Sequence, residues 1–136
     1  MGIPETIGLC FGRFDIIHYG HVNFLKWCRA QCDRLVVGVA SDWYCQWRNL
    51  PTTNPWRDRA DVVRELKSVS AVYCYEKHCP LALWEDLRPD IIFLNPGNEN
   101  DPVYEKALPK LREAVKVVWL SRTPGICTRD IKDKML

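Results

Sequence analysis

Apolar and polar positions alternate in blocks along this chain, and the blocks carry two different periods. Ile7–Phe11 is a short apolar run and predicts a buried strand. Val22, Leu25 and Cys28 recur at helical spacing and predict a helix over Gly20–Cys32. Arg34–Ala40 is rich in β-branched residues without polar alternation, as in a parallel strand covered on both faces. Ser41–Pro55 is polar and aromatic and predicts a long loop. Val62, Val63 and Leu66 stripe a helix over Trp56–Lys67. Ala71–Tyr75 predicts a strand, Pro80–Leu87 a short helix with proline in its first turn, and Ile91–Leu94 a strand. Asn95–Pro102 reads as a loop and Val103–Ala114 as a helix kinked near Pro109. Val117–Leu120 predicts a fifth strand, and Thr128–Met135 a closing helix.

Buried strands alternating with helices imply right-handed βαβ units. The expected fold is α/β: a Rossmann-like, doubly wound, parallel five-stranded sheet, in one domain over residues 1–136. Ligands on such sheets bind beyond the carboxyl ends of the strands, where the strand order reverses.

Composition narrows the function classes. The net charge is +2 and the basic residues are dispersed, which argues against a nucleic-acid partner. The longest apolar runs are too short to span a bilayer, so no membrane partner is expected. The first residues lack a secretory pattern, although Met1-Gly2-Ile3-Pro4-Glu5-Thr6 fits the loose myristoylation pattern. Seven cysteines form no C-x-x-C pair, which predicts reduced thiols and a cytoplasmic location. His78-Cys79 has no matching pair with which to hold zinc.

The densest chemistry follows the first strand, at Gly12-Arg13-Phe14-Asp15-Ile16-Ile17-His18-Tyr19-Gly20-His21. A glycine turn after a strand lets backbone approach a phosphate. A helix N-terminus there presents free N–H groups and positive potential. His18 and His21, with Gly20 between them, can both face that spot. The alternative for either histidine is a helix cap or a satisfied core side chain. Asp15 can orient a histidine or order the turn by accepting backbone N–H bonds, and it reads as structural before it reads as catalytic. Arg13 can bind phosphate or lie outward in a salt bridge.

These ten residues resemble the H-x-G-H signature of the nucleotidyltransferase superfamily, in its cytidylyltransferase wording. Gly12-Arg13-Phe14 also resembles the opening of nicotinamide mononucleotide adenylyltransferases. Arg122-Thr123-Pro124-Gly125-Ile126-Cys127-Thr128 resembles the R-T-x-G-[IV]-S-[ST] signature of the cytidylyltransferase branch, with Pro124 for the usual Glu and Cys127 for the usual Ser. Together the motifs make the resemblance span nearly the whole chain. In size it resembles the glycerol-3-phosphate cytidylyltransferases. The middle section, Asn54 through Asp90, is similar to the relatives that make ADP-heptose.

The resemblance implies that His18 and His21 hold phosphate oxygens in the transition state, with Arg122 gripping phosphate in a bidentate fork. It implies nucleotide contacts for Gly12, Arg13, Phe14, Asp15, Gly20, Thr123, Gly125, Ile126, Cys127 and Thr128. Arg48 stands where the family has a phosphate-contacting lysine. Arg59 and Lys67, eight residues apart near one face of the expected helix, match basic positions of the glycerol-3-phosphate enzymes, with a solvated helix face as the plain alternative. Gly97-Asn98 stands where relatives have Gly-Asp, so an amide replaces a carboxylate near the nucleoside. Trp43, Trp47 and Trp56 read as packing residues before they read as a base-stacking lid.

The implied reaction transfers a nucleotidyl group, CMP from CTP, to a small phosphorylated alcohol or sugar and releases pyrophosphate. Mg²⁺ would ride on the triphosphate. Two rivals are an adenylyltransferase using ATP and a sugar 1-phosphate, and a catalytically silent nucleotide-binding subunit, the latter motivated by Asn98, Pro124 and Cys127. The resemblance also implies a homodimer.

Overall fold

The computed structural model describes residues 5–76, 87–94, 108–110 and 112–119. Its framework is five strands: β1 (Ile7–Gly12), β2 (Arg34–Ala40), β3 (Ala71–Tyr75), β4 (Ile91–Leu94) and β5 (Lys116–Trp119). They form one sheet in the order β3-β2-β1-β4-β5. All four pairings are parallel. The chain winds outward from β1 to β2 and β3, then crosses back to β4 and β5. The order therefore reverses between β1 and β4, which is the topological switch point of a doubly wound sheet.

Strand periodicity sorts the core onto two faces. Leu9, Phe11, Val36, Ile92 and Leu94 pack on one face with Tyr44, Cys45 and Val115. Cys10, Leu35, Val37, Val39, Ile91 and Phe93 pack on the other with Phe24, Leu25, Cys28 and Val63. Each central strand thus buries both alternating sets, which is why the runs read as continuously apolar. A fully buried Leu or Phe contributes about 1.5–3 kcal/mol relative to exposure.

Among the described residues the cover includes helices α1 (Tyr19–Arg29), α2 (Asp42–Trp47) and α3 (Trp56–Arg64). Helix α2 corrects the expected loop over Ser41–Pro55. The Ser41 hydroxyl accepts from the Tyr44 N–H at 2.9 Å and caps the helix. Tyr44 and Cys45 turn inward, and the Tyr44 ring meets Tyr75 edge-on with centroids 4.9 Å apart. A serine followed by aspartate was the helix-start signal, and the aromatic density around it concealed the period.

Two helices stop short of their expected ends. α1 closes at Ala30, whose N–H bonds back to the Lys26 and Cys28 carbonyls. α3 closes at Glu65, and the chain turns through Leu66 and Val69 into the sheet, where the Ser70 N–H reaches the Leu35 carbonyl. Lys67 is therefore exposed beyond the helix and does not share a helix face with Arg59. β5 begins one residue ahead of expectation, at Lys116. Residues 108–110 and 112–114 are helical, with Pro109 inside them. The expected helices Pro80–Leu87 (apart from Leu87 itself) and Thr128–Met135 lie outside the described residues, as does the loop Asn95–Pro102.

Candidate active site

β1 delivers the chain to the switch point, and the histidine turn begins there. A Cβ on Gly12 would lie 2.8 Å from the Phe14 ring, so only glycine lets that ring fold back over the strand end. Phe14 itself has φ 51°, in the left-handed region that a bulky residue rarely adopts. Its ring is buried and lies 5.6 Å from that of His21. A strained residue of this kind persists where its surroundings over-determine it.

His18 is the N-cap of α1. Its Nδ1 accepts from the Gly20 N–H at 3.0 Å, and His21 Nδ1 accepts from the His18 N–H at 3.3 Å. This is a capping box built from two imidazoles in place of Ser and Glu. Its chemistry follows from the acceptors. A nitrogen that receives an N–H bond must offer a lone pair, so each neutral ring carries its proton on Nε2. The cap thereby prepares two Nε2–H donors, on rings with centroids 4.1 Å apart, at the positive end of a helix. Burial lowers the His18 pKa. His21 is lowered further, to about 4, by burial and by the nearby His18 and Arg13 charges. At neutral pH both rings are uncharged donors, suited to phosphate oxygens.

The arm before the histidines is tied to the segment between α2 and α3. The Asp15 carboxylate accepts from the Thr53 N–H at 2.8 Å and the Asn54 N–H at 2.9 Å. The Asn54 amide donates to the Asp15 carbonyl at 2.9 Å. The Arg13 guanidinium donates to the Pro51 carbonyl at 2.9 Å. Asp15 is thus the turn-ordering carboxylate that its residue type suggested, although the N–H groups it orders come from 38 and 39 residues away.

Arg59 takes a place the sequence did not suggest. Its side chain is fully buried, on neither a solvated helix face nor an open cationic site. Nε donates to the Asn54 carbonyl at 2.9 Å, Nη1 to the Arg13 carbonyl at 2.8 Å, and Nη2 to Asp42 at 2.8 Å. Asp42 also accepts from the Trp56 N–H at 3.0 Å, and these bonds lower its pKa. A signal for this partnership was absent locally, because Asp42 and Arg59 are 17 residues apart.

Arg48 follows α2 and sits 5.9 Å over the Trp47 ring. Trp43 and Trp47 are half-exposed and stack on each other, with planes 3° apart and centroids at 6.1 Å. Trp56 packs as expected, and its indole N–H donates to the Val39 carbonyl at 3.1 Å. An open hollow of about 600 Å³ lies between α2 and the following segment, walled by Gln46, Asn49, Thr52 and Thr53 among others. Gly97, Asn98, Arg122, Thr123, Gly125, Ile126, Cys127 and Thr128 lie outside the described residues.

Paired imidazole donors at the switch point of a parallel sheet give an α/β protein a site suited to phosphate oxygens. The chain belongs to the cytidylyltransferase-like family, whose model matches residues 9–134. It is similar to the bifunctional protein HldE of Mesorhizobium japonicum, with 46% identity over 89 residues, covering 64% of this chain and 18% of that protein. A FAD synthase of Pyrococcus abyssi is 40% identical over 121 residues, covering 88% of this chain and 80% of its own. Among solved structures, the lipopolysaccharide core biosynthesis protein of Thermoplasma volcanium superposes with a TM-score of 0.78 at 25% identity, covering 88% of this chain and 99% of that one. The chain spans only 18–27% of the length of three HldE relatives.

Proposed function

We propose that this protein transfers a nucleotidyl group, CMP from CTP, to a small phosphomonoester and releases pyrophosphate. The observation that carries the reading is the histidine capping box, which holds two neutral Nε2–H donors at the switch point. A phosphomonoester oxygen is already anionic, so the reaction calls for alignment and charge stabilisation more than for a base. His18 and His21 would donate to oxygens of the triphosphate as charge builds on the α-phosphate and the leaving group. Arg122 and Arg48 would add positive charge. Mg²⁺ would arrive on the triphosphate. Such a metal keeps several waters and needs no dedicated protein cage. When bound, the metal supplies charge neutralisation between the phosphates.

The amides and hydroxyls of Gln46, Asn49, Thr52 and Thr53, in the hollow between α2 and the segment that Arg13 and Asp15 bond to, suit an acceptor rich in hydroxyl groups, an alcohol or sugar phosphate. The choice of CTP rests on Arg122-Thr123 and Gly125-Ile126, the cytidylyltransferase wording of the second motif. An ATP-dependent reading has its own support, since a FAD synthase, named for a product that contains an adenylyl group, is among the relatives. A homodimer fits the exposed Trp43–Trp47 stack, apolar area that a second copy could cover.

Calorimetric titration with CTP, ATP, GTP and UTP, followed by pyrophosphate release across a panel of phosphomonoesters, tests the reading. The expected result is at least about tenfold preference for CTP, or 1.4 kcal/mol, with turnover on one acceptor class. ATP binding as tightly as CTP moves the protein to the adenylyl reading. Tight binding with no turnover on any acceptor makes it a silent nucleotide-binding subunit.

A further inference from the structure

The Arg59 guanidinium is sealed from solvent, yet it touches three separate segments that surround the histidine turn. We infer that Arg59 is a positioning residue for nucleotidyl transfer, holding the Arg13 carbonyl, the Asn54 carbonyl and the Asp42 carboxylate in one fixed triangle. The inference rests on the nucleotidyltransferase reading of the His18–His21 site and adds to it a residue that need not touch the nucleotide.

The three bonds are each between 2.8 and 2.9 Å. The planar fork of an arginine can satisfy three acceptors in different directions at once, and a lysine ammonium cannot copy that plane. One of the three, the Arg13 carbonyl, immediately precedes Phe14, the residue held at φ 51°. Phe14 packs against His21, so a shift of the Arg13 peptide is passed to the imidazole through one buried ring. The other two acceptors anchor that peptide to α2 and to the Pro51–Asn54 segment. The Asp15 carboxylate and the Arg13 guanidinium hold the same segment through bonds of their own. The turn and the segment thus form one unit, with Arg59 inside it. In reactions that depend on alignment, a displacement of about 1 Å can cost about a hundredfold in rate.

A cation that binds phosphate and a cation that positions the turn give opposite signatures. For Arg59→Lys we expect turnover to fall about 10- to 100-fold while nucleotide affinity stays within about threefold of wild type. The ¹⁵N signals of the His18 and His21 rings should shift or broaden, because their Nδ1 acceptor bonds depend on the turn. Melting curves would establish that the variant is folded at the assay temperature. If Arg59→Lys does not fold, Asp42→Asn serves in its place, since it loosens the same triangle from the exposed partner, with the same readouts.

A tenfold or larger rise in the nucleotide dissociation constant makes Arg59 a phosphate ligand and overturns the inference. Wild-type turnover and unchanged imidazole signals, with only a lowered melting temperature, reduce it to a fold-stabilising residue and also overturn it. If the wild-type protein turns over no phosphomonoester, the functional reading fails by itself. The imidazole signals of the variant then still decide whether Arg59 holds the turn.

Discussion

Helices α1 and α3 begin a few ångströms from the same turn, but their first N–H groups are satisfied in opposite ways. At α1 the cap is local. His18 and His21 accept from backbone N–H groups two and three residues away. At α3 the N-cap is Pro55, which offers no side-chain cap bond. The Trp56 N–H goes instead to Asp42, 14 residues earlier, and Asp42 also holds Arg59. Every helix start leaves donors that need partners. The local solution sets which ring nitrogen carries the proton and so turns two Nε2–H donors away from the cap. The remote solution fastens α2 to α3 and so prepares geometry.

The sharpest way to separate cap from chemistry is a substitution that keeps the first and deletes the second. Serine is a preferred N-cap but has no donor at the Nε2 position. His18→Ser should therefore keep its stability within about 0.5 kcal/mol of wild type. Its turnover should fall about 10²- to 10³-fold, the usual effect of losing one preorganised donor to transition-state charge. His21→Ala should show a fall of similar size. Steady-state rates beside thermal melts check both. Full turnover in His18→Ser would leave His18 as a cap and nothing more.

The two helix starts should also fail in different pH windows. His21 is lowered from 6.5 to about 4 in the fold, so the fold favours its neutral form. Its contribution is fully present above pH 6.5 and is lost as pH falls from there towards 4, because the unfolded chain binds the proton first. The loss is at most about 3 kcal/mol. Asp42 is lowered from 3.8, so its contribution is present above that value and is lost only as pH falls through its lower folded value. Denaturant unfolding at pH 7.5, 5.5 and 4.5, with ¹⁵N titration of the rings, should find the α1 loss first. A His21 midpoint near 6.5 in the folded protein would break the distinction.

The same contrast explains what was legible in the sequence. β2, β3 and β4 match their apolar runs residue for residue; in β2 and β4 burial on both faces writes itself into composition, whereas β3, at the sheet edge, leaves Tyr73 and Cys74 exposed and was legible from its apolar residues alone. The histidine turn was legible because its bonds close within three residues. Asp15 was read as an acceptor, but its partners Thr53 and Asn54 could not be read, since only the fold brings them near. Arg59 reads in the sequence as a basic position of the glycerol-3-phosphate enzymes or as part of a solvated helix face, because a basic residue on a helix gives no sign of being buried. Its burial depends on three acceptors from three distant segments. The helix ends were overestimated at Cys32 and Lys67, where apolar spacing ran on past the last helical bond. For Asp15 and Arg59 the missing information was a set of long-range partners, most of them backbone groups, which carry no residue type.

The smallest expected effects test whether the remote cap is stronger than a local one of ordinary kind. Ser41 is buried and caps α2 through a single bond to the Tyr44 N–H. Ser41→Ala should cost about 1 kcal/mol, the typical value for a lost N-cap. The adjacent Asp42→Ala removes the cap of α3 and leaves the Arg59 fork one acceptor short inside the protein. A buried charged donor left unpaired costs about 2–3 kcal/mol. Two neighbouring truncations of similar size should therefore differ by about twofold in unfolding free energy. Urea unfolding of both variants measures it. Equal losses would mean that solvent reaches Arg59 once Asp42 is gone, and that α3 holds its place through the Arg13 and Asn54 carbonyls alone.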